Sequence, residues 1–353
     1  MHSCRSRIVS GDLVRRRKTT TMERKRFVVV TNKIEDAAMN ILCEVAPDQL
    51  EVVSVADLAR VERQGDYSRT GELDALLSRA EIVYTLKLPE RLLERAPGLK
   101  WVQTISTGVE KVLTDELIRS DVVVTNMSGI HEVTMSEFVL MLMLMFAKGA
   151  PTSFYQQIEG RFKWFPMKVL PGRTVGIIGL GRIGKDVARV SKLHGMRVVG
   201  TSRTAMATDA FENVDEVMPL SRLNDLLGQS DFVVLALPLT AESANLIGEA
   251  ELEVMNAEGY LINVSRGGIV DEPVLVKALE EGWIAGAGLD VFETEPLSPD
   301  SPLRHLRNVI FSPHVSGDIA EYDVGAAGLF ADNLRRYLAD EPLLNVVDKA
   351  RGY

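Results

Sequence analysis

Three short stretches of the sequence end in side chains that could hold a carboxylate and move a proton. LINVSRGG carries Arg266, GLDVFETEP carries Glu295, and NVIFSPHVSG carries His314. Each of these side chains follows a mostly apolar run that is typical of a strand buried on both faces. Ligands of an open parallel sheet bind beyond the carboxyl ends of its strands. We therefore expect the three side chains to meet at one edge of a sheet.

The chemistry of these three groups is complementary. A guanidinium can hold a carboxylate through two parallel hydrogen bonds and polarise a neighbouring carbonyl. Histidine exchanges a proton near neutral pH, and a nearby carboxylate would orient it and stabilise its protonated form. Taken singly, His314 could be a structural histidine, Glu295 a solvated loop acid, and Arg266 part of a surface turn.

A glycine-rich turn in the same half of the chain predicts a nucleotide site. GLGRIG is a G-x-G-x-x-G that follows the strand-like TVGIIG and opens a helix-like segment over 182–195. The first glycine permits the tight turn, the second lets a pyrophosphate approach the backbone, and the third lets the helix pack closely on the strand. A purely structural turn is the alternative. The predicted cofactor contacts in this motif are Gly179, Gly181, Arg182, Ile183 and Gly184.

The end of the next strand predicts which nucleotide binds. An NAD site has an acidic side chain there, about 20 residues beyond the glycines, which accepts hydrogen bonds from the ribose 2′-hydroxyl. This chain has Ser202, Arg203 and Thr204 instead. Serine removes the repulsion of a 2′-phosphate, and arginine and threonine add donors for it. We expect NADP(H) to be preferred and NAD(H) to be accepted as well; the alternative is that Arg203 is a solvated surface arginine.

Strand-like and helix-like segments alternate along the chain in two series, the second of which starts near residue 173. Such alternation predicts parallel sheets covered by helices, an α/β fold. A last helix over 318–339 fits neither series and is expected to pack back on the first domain. We expect a disordered tail over 1–26, a substrate-binding domain over 27–126 and 316–353, and a dinucleotide-binding domain over 127–315.

Composition argues against several classes of partner. The formal net charge of −9 is unlike that of a nucleic-acid binder, which carries a basic face. The longest apolar run, over 138–147, is too short to span a bilayer and predicts a buried core helix. Cys4 and Cys43 give neither metal-ligand spacing nor a disulfide framework, which favours a reducing compartment. We expect no metal, nucleic-acid or membrane partner.

Residues 1–26 differ from the rest of the chain. They hold nine Arg or Lys against Asp12 and Glu23. This composition fits an organelle transit peptide, but an unstructured tail, or a true start at Met22, is the interpretation we favour. A cytoplasmic location follows from that interpretation.

Several linked motifs resemble those of the D-isomer-specific 2-hydroxyacid dehydrogenases. The resemblance covers residues 27–348 and rests on the motifs GLGRIG, LPLTAESANLIG, NVSRGGIVDE, GLDVFETEPL, SPHVSG and LRRYLADEPLLNVV. The resemblance implies two Rossmann-like domains, with the nucleotide-binding domain inserted in the substrate domain, and a homodimer. It also implies reduction of a small 2-oxo acid to a D-2-hydroxy acid. The Ser202–Thr204 ending resembles that of NADPH-preferring glyoxylate and hydroxypyruvate reductases.

The same resemblance assigns roles to residues of this chain. Arg266 would bind the carboxylate and carbonyl oxygen of the substrate, and Glu295 would pair with His314, the general acid in reduction. The backbone N–H groups of a loop that looks like the family's carboxylate-binding loop would face the substrate; its residues are Thr107, Gly108 and Val109. Asp290 is similar to the acid that meets the nicotinamide carboxamide. Further predicted cofactor contacts are Pro238 and Gly317.

A nucleotide-sensing protein of the same fold, like the transcriptional corepressors that share it, is the alternative to an enzyme. The complete arginine–glutamate–histidine set favours the enzyme. Candidates for the lining of the substrate pocket are Lys87, Trp164 and Met167. Spacing alone does not place these three side chains or identify the substrate.

Overall fold

A computed structural model describes residues 25–109, 111–202, 206 and 209–352. The chain divides into two compact units, which are Met1–Ile130 with Ala320–Tyr353 (the discontinuous unit) and His131–Ile319 (the inserted unit). The sequence predicts boundaries of 127 and 315 for the inserted unit. In the structure this unit begins at residue 131 and ends at residue 319.

The discontinuous unit is built on a five-stranded parallel sheet. Its strands are β1 (Arg26–Val30), β2 (Leu50–Ser54), β3 (Ile82–Thr85), β4 (Trp101–Thr104) and β5 (Val123–Thr125). The helices between them are α1 (Asp36–Glu44), α2 (Ala56–Arg63), α3 (Thr70–Leu77), α4 (Leu92–Arg95) and α5 (Asp115–Arg119). The strand order is β2-β1-β3-β4-β5. The three central strands are almost entirely buried, as their runs of apolar residues predict.

The inserted unit is built on a seven-stranded parallel sheet. Its helices are α6 (Glu132–Ala147), α7 (Ala150–Ile158), α8 (Arg182–Leu193), α9 (Leu223–Gln229), α10 (Glu249–Val254) and α11 (Glu272–Glu281). Its strands are β6 (Thr174–Ile178), β7 (Arg197–Ser202), β8 (Glu216–Pro219), β9 (Phe232–Leu235), β10 (Tyr260–Asn263), β11 (Gly286–Leu289) and β12 (Val309–Phe311). The strand order is β12-β11-β10-β9-β6-β7-β8. The predicted α/β class with two parallel sheets is confirmed.

The chain returns to the discontinuous unit in a last helix, α12 (Tyr322–Leu338). Phe330 of this helix stacks on Tyr84 of β3, with ring centroids 4.6 Å apart, and lies edge-on to Trp101 of β4. Asn333 is fully buried and donates from Nδ2 to Oε1 of Gln103 in β4. The last helix therefore packs on the first domain, as the sequence predicts, although it begins four residues later than expected.

The apolar run over 138–147 lies in α6, whose buried side chains join the core of the inserted unit. Ser136 near the start of this helix donates to Asp186 of α8, and a hydrogen bond from Arg189 lowers the pKa of the Asp186 carboxyl. Among the described residues, no single helix is long and apolar enough to cross a membrane. The bent pair of α6 and α7, at 64°, meets that test by length and composition only.

Candidate active site

Three neighbouring strands deliver Arg266, Glu295 and His314 to one edge of the seven-stranded sheet. β10 pairs with β11, and β11 pairs with β12, both in parallel register. Arg266 follows β10, Glu295 follows β11, and His314 follows β12. Because parallel neighbours end at the same edge, the three loops leave the sheet side by side. The structure therefore brings together the loops that the sequence singles out.

The first two loops touch through their backbones at Gly267. A Cβ atom at this position would lie 1.8 Å from the carbonyl carbon of Phe292, so only glycine fits. This contact holds the loop of Arg266 against the loop that leads to Glu295. Arg266 is half-buried, and its Nη1 donates to the carbonyl of Ser265 at 2.7 Å.

The imidazole of His314 is paired with the carboxylate of Glu295. His314 Nδ1 lies 2.8 Å from Glu295 Oε2, and Glu295 Oε1 accepts a hydrogen bond from the N–H of Phe292 at 3.1 Å. An ionised carboxylate only accepts hydrogen bonds, so Nδ1 carries a proton and Nε2 is the ring nitrogen that remains for a substrate. The side chains of His314 and Glu295 are 45% and 37% exposed, so ligands can reach the pair.

The loop of His314 is anchored by Asp290, whose side chain is fully buried at the end of β11. Asp290 Oδ1 accepts from the hydroxyl of Ser312 at 2.6 Å and from Val315 N at 2.9 Å, and Oδ2 accepts from Ser316 N at 2.9 Å. His314 has a φ of +58°, a left-handed conformation that is uncommon outside glycine. The three donors flank His314 and hold this conformation. Contact between Asp290 and a nicotinamide carboxamide stays a prediction.

The glycine-rich turn links β6 to α8. A Cβ at Gly184 would lie 2.0 Å from the carbonyl oxygen of Gly179, which itself has a φ of +107°. A Cβ at Gly181 would meet no atom within 4 Å. The helix is thus packed tightly against the turn while the face at Gly181 is open beside the N-terminus of α8. This cradle fits the pyrophosphate of a dinucleotide, because free N–H groups and the helix dipole attract phosphate there.

The other residues of the predicted cofactor site are held by their own contacts. Arg182 Nη1 lies 3.7 Å from Glu132 Oε1, and Ile183 packs against the core. Ser202 ends β7 and is half-buried, whereas Arg203 and Thr204 lie outside the described residues.

Two further predicted cofactor contacts lie in loops that hydrogen bonds fix. The carbonyl of Pro238, beyond the end of β9, accepts from Ser243 Oγ at 2.7 Å. The carbonyl of Gly317 lies 2.9 Å from His131 Nδ1, and a Cβ at Gly317 would lie 2.8 Å from the same nitrogen. A side chain at Gly317 would therefore displace the His131 ring.

The predicted carboxylate-binding loop follows β4 in the discontinuous unit. Thr107 and Gly108 are half-buried, and Val109 is buried. Thr107 Oγ1 donates to the carbonyl of Met127 at 3.4 Å. In the described parts of the chain, no group of three or more His, Cys, Asp or Glu side chains is arranged to hold a metal ion.

Relatives of known family match nearly the whole chain in sequence. The family model for the D-isomer specific 2-hydroxyacid dehydrogenase NAD binding domain matches residues 140–316. A glyoxylate reductase of Korarchaeum cryptofilum is 35% identical over 331 residues, which cover 92% of this chain and 96% of the relative. A glyoxylate reductase of Aeropyrum pernix is 36% identical over 322 residues, 87% of this chain and 94% of the relative. This chain belongs to the D-isomer specific 2-hydroxyacid dehydrogenase family.

Solved structures of this family share the fold. A D-isomer specific 2-hydroxyacid dehydrogenase of Xanthobacter autotrophicus, in complex with NADPH and MES, has a TM-score of 0.80 and 33% identity, covering 94% of this chain and 100% of that one. An NADPH-dependent glyoxylate/hydroxypyruvate reductase of Sinorhizobium meliloti, in complex with NADP and sulfate, has a TM-score of 0.79 and 30% identity, covering 93% and 100%. The family predicted from the linked motifs is confirmed, and the chain is an NAD(P)-dependent oxidoreductase.

Two residues that contact the predicted site loops, one in each unit, were not predicted from the sequence. Gly267 was visible as the first glycine of SRGG, but its role depends on the backbone of Phe292, which is distant in sequence. Asn126 ends a strand-like run, and nothing in the sequence marks its side chain as a contact of the loop at Thr107. Both act through partners that only the fold brings near.

We expect Glu295→Gln to lower kcat for reduction of a 2-oxo acid by roughly 10- to 100-fold. This loss is smaller than the whole contribution of general acid catalysis, about 10²- to 10⁴-fold, because His314 is still present. A neutral amide stabilises a protonated imidazole less than a carboxylate does, so the loss should grow as the pH rises. Steady-state rates between pH 5.5 and 8.5 (about the range in which histidine titrates) measure both effects.

The matched control is Glu293→Gln, which removes the same charge two residues earlier in the same loop. Glu293 is exposed, and its backbone N–H donates to Glu272. Its substitution should leave kcat nearly unchanged. Equal losses in the two variants, or no loss in either, would remove the Glu295–His314 pair from the mechanism.

Proposed function

We propose that this dehydrogenase reduces glyoxylate and hydroxypyruvate to their D-2-hydroxy or achiral products, with NADPH preferred over NADH. The observation that carries the proposal is the His314–Glu295 pair at the sheet edge that it shares with Arg266. The relatives named glyoxylate reductase support the substrate class. The related structures with NADPH or NADP support the cofactor.

In the proposed mechanism, Arg266 binds the substrate carboxylate and stabilises the negative charge that develops on the carbonyl oxygen. His314 donates the proton of Nε2 to that oxygen. Glu295 keeps the imidazole oriented and stabilises its protonated form. Bound NADPH supplies the hydride. The backbone N–H groups of Thr107, Gly108 and Val109 are proposed to bind the substrate carboxylate as well.

The cofactor preference rests on the end of β7. Ser202 stands there, so this position carries no carboxylate to repel a 2′-phosphate. Arg203 and Thr204, which follow in the sequence, are proposed to bind that phosphate. The remaining proposed contacts of the cofactor are Gly179, Gly181, Arg182, Ile183, Gly184, Pro238, Asp290 and Gly317.

We further propose a homodimer formed through an apolar arm, defined as α7 and the segment over 159–169. Its large apolar side chains each expose more than half of their surface, and they are Phe154, Ile158, Phe162, Trp164, Met167 and Val169. Together they offer on the order of 800 Å² of apolar surface, which is about what each partner buries in a standard interface. A second copy of the chain presents the same surface, as a two-fold interface requires. Trp164 and Met167, which spacing left unplaced, belong to this arm.

We propose a cytoplasmic location and a small-molecule substrate. The net charge of −9 opposes binding to a polyanion, and the cysteine content suits a reducing compartment. Residues 1–24, which hold most of the basic stretch, lie outside the described residues.

A comparison of substrates and cofactors tests the function directly. We expect turnover of glyoxylate and hydroxypyruvate to exceed that of pyruvate and of a branched 2-oxo acid, and NADPH to give a higher kcat/KM than NADH. Steady-state rates over this panel are the measurement. NADPH binding without turnover of any of the four acids would instead support a nucleotide-sensing role.

Arg203→Ala tests the cofactor preference. The substitution should raise the Kd of NADPH by about 10-fold or more, since a charge-assisted hydrogen bond to the 2′-phosphate is lost. The Kd of NADH, which lacks that phosphate, should change little. Fluorescence titration measures both constants. An equal rise in the Kd of NADPH and the Kd of NADH would show that Arg203 does not recognise the 2′-phosphate.

The double substitution Phe162→Asp with Trp164→Asp tests the apolar arm. It should convert a dimer to a monomer, because charge in the centre of an apolar interface opposes association. Leu193→Asp is the matched control, since Leu193 is 73% exposed at the end of α8, outside the arm. Light scattering coupled to size exclusion measures the mass. A dimer that survives the double substitution would show that another surface forms it.

A further inference from the structure

The segment after β4 has four consecutive carbonyl groups that are all hydrogen-bonded by other groups of the discontinuous unit. Two of the donors are side chains from distant parts of the chain, one is a backbone N–H, and one is a hydroxyl within the segment. The acceptor–donor pairs are Ile105 O with Tyr322 Oη, Ser106 O with Met127 N, Thr107 O with Asn126 Nδ2, and Gly108 O with Ser106 Oγ.

The N–H groups of the same segment behave differently. Within the described residues, those of Thr107, Gly108 and Val109 donate to no protein acceptor. In a planar trans peptide the C=O and N–H bonds point in opposite directions. Fixing each of these carbonyls therefore also fixes the direction of the N–H group in the same peptide group. Backbone N–H groups that donate to no protein acceptor are the donors from which anion-binding sites are built.

Asn126 fixes the central one of these peptide groups. Its side chain is buried at the end of β5, and Nδ2 donates to the carbonyl of Thr107 at 2.9 Å. Its Oδ1 accepts from the N–H of Ser128 at 3.0 Å. Because both ends of the amide are engaged, the orientation of the amide is determined. The direction of the Gly108 N–H follows from it.

Asn126 is itself held by the C-terminal part of the chain. Its backbone N–H donates to the carbonyl of Asn345 at 3.1 Å, and Asn345 Nδ2 donates to the carbonyl of Ser128 at 2.6 Å. The neighbouring Leu344 N donates to Oδ1 of Asn333, a fully buried residue of α12. A continuous set of hydrogen bonds thus connects α12 to the loop at Thr107.

We propose that Asn126, held by Asn345, is a positioning residue that aims the Gly108 N–H at the substrate carboxylate. The proposal rests on the proposed function, in which this loop binds that carboxylate. Asn126 has no part in proton transfer. Its loss should therefore weaken substrate binding far more than it slows the chemical step at saturation.

Asn126→Leu and Asn126→Asp test this role. Both remove the donor to Thr107 O, the first without adding charge and the second without changing the shape. We expect KM for glyoxylate to rise about 10- to 100-fold in both, as a displaced binding group typically causes, with kcat reduced no more than about threefold. The Kd of NADPH should stay within about twofold of the wild type.

Asn256→Asp is the matched control. Asn256 Oδ1 accepts from Glu258 N at 3.0 Å, the same turn that Asn126 makes with Ser128, but in the inserted unit. Aspartate keeps this turn, so KM should not change. Thermal unfolding of every variant shows whether it is folded. Should Asn126→Leu fail to fold, Asn126→Asp decides the outcome, because it keeps the bond to Ser128.

An unchanged KM in a folded Asn126 variant overturns the proposal. So does a parallel loss of kcat, of NADPH affinity and of thermal stability, which would indicate a general structural role. Calorimetric binding of oxalate in the presence of NADP examines the loop without turnover. Weaker binding of oxalate by the Asn126 variants than by the wild type supports the proposal. If the wild type reduces none of the acids tested, that failure counts against the proposed function, and the oxalate measurement still tests the role of Asn126.

Discussion

The carboxylate of Asp290 lies fully buried at the end of β11, and a buried charge is stable only where hydrogen bonds replace its hydration. Here the donors come from Ser312, Val315 and Ser316. They fix the loop on both sides of His314, whose backbone adopts a conformation it would rarely take unaided. The direction of the imidazole, and with it the pairing to Glu295, therefore depends on a carboxylate that solvent does not reach.

In the proposed function, main-chain groups supply much of the anion recognition. The open face at Gly181 lies beside the N-terminus of α8, which attracts a phosphate, and in the proposed carboxylate-binding loop three N–H groups donate to no acceptor among the described residues. The direction of a backbone N–H group is set by the orientation of its peptide plane. It therefore depends on the groups that hydrogen-bond to that peptide group. In its proposed role, Asn126 contributes to anion recognition by orienting a peptide group, without contacting the anion itself.

Much of the architecture could be read from the sequence, because buried parallel strands are uninterrupted apolar runs and both series contain them. The order of Arg266, Glu295 and His314 after such runs was enough to predict a common edge. Helix boundaries and contacts between loops were harder to predict from the sequence. α12 begins at Tyr322 rather than at 318, since the preceding residues belong to the turns of the loop anchored by Asp290. The roles of Asn126 and Gly267 could not be predicted, because the residues that they contact are distant in sequence.

The return of α12 to the first sheet has a consequence for the order of events during synthesis. β1 leaves the ribosome early, yet the ring that stacks on Tyr84 and packs against Trp101 belongs to Phe330. The inserted unit is contiguous and can fold as soon as residue 319 has emerged, because domains fold as units. Part of one apolar face of the discontinuous unit therefore stays uncovered until α12, which follows the whole inserted unit in the sequence, has been synthesised. Because contacts between distant parts of a chain form slowly, we expect this unit to complete its folding after the inserted unit.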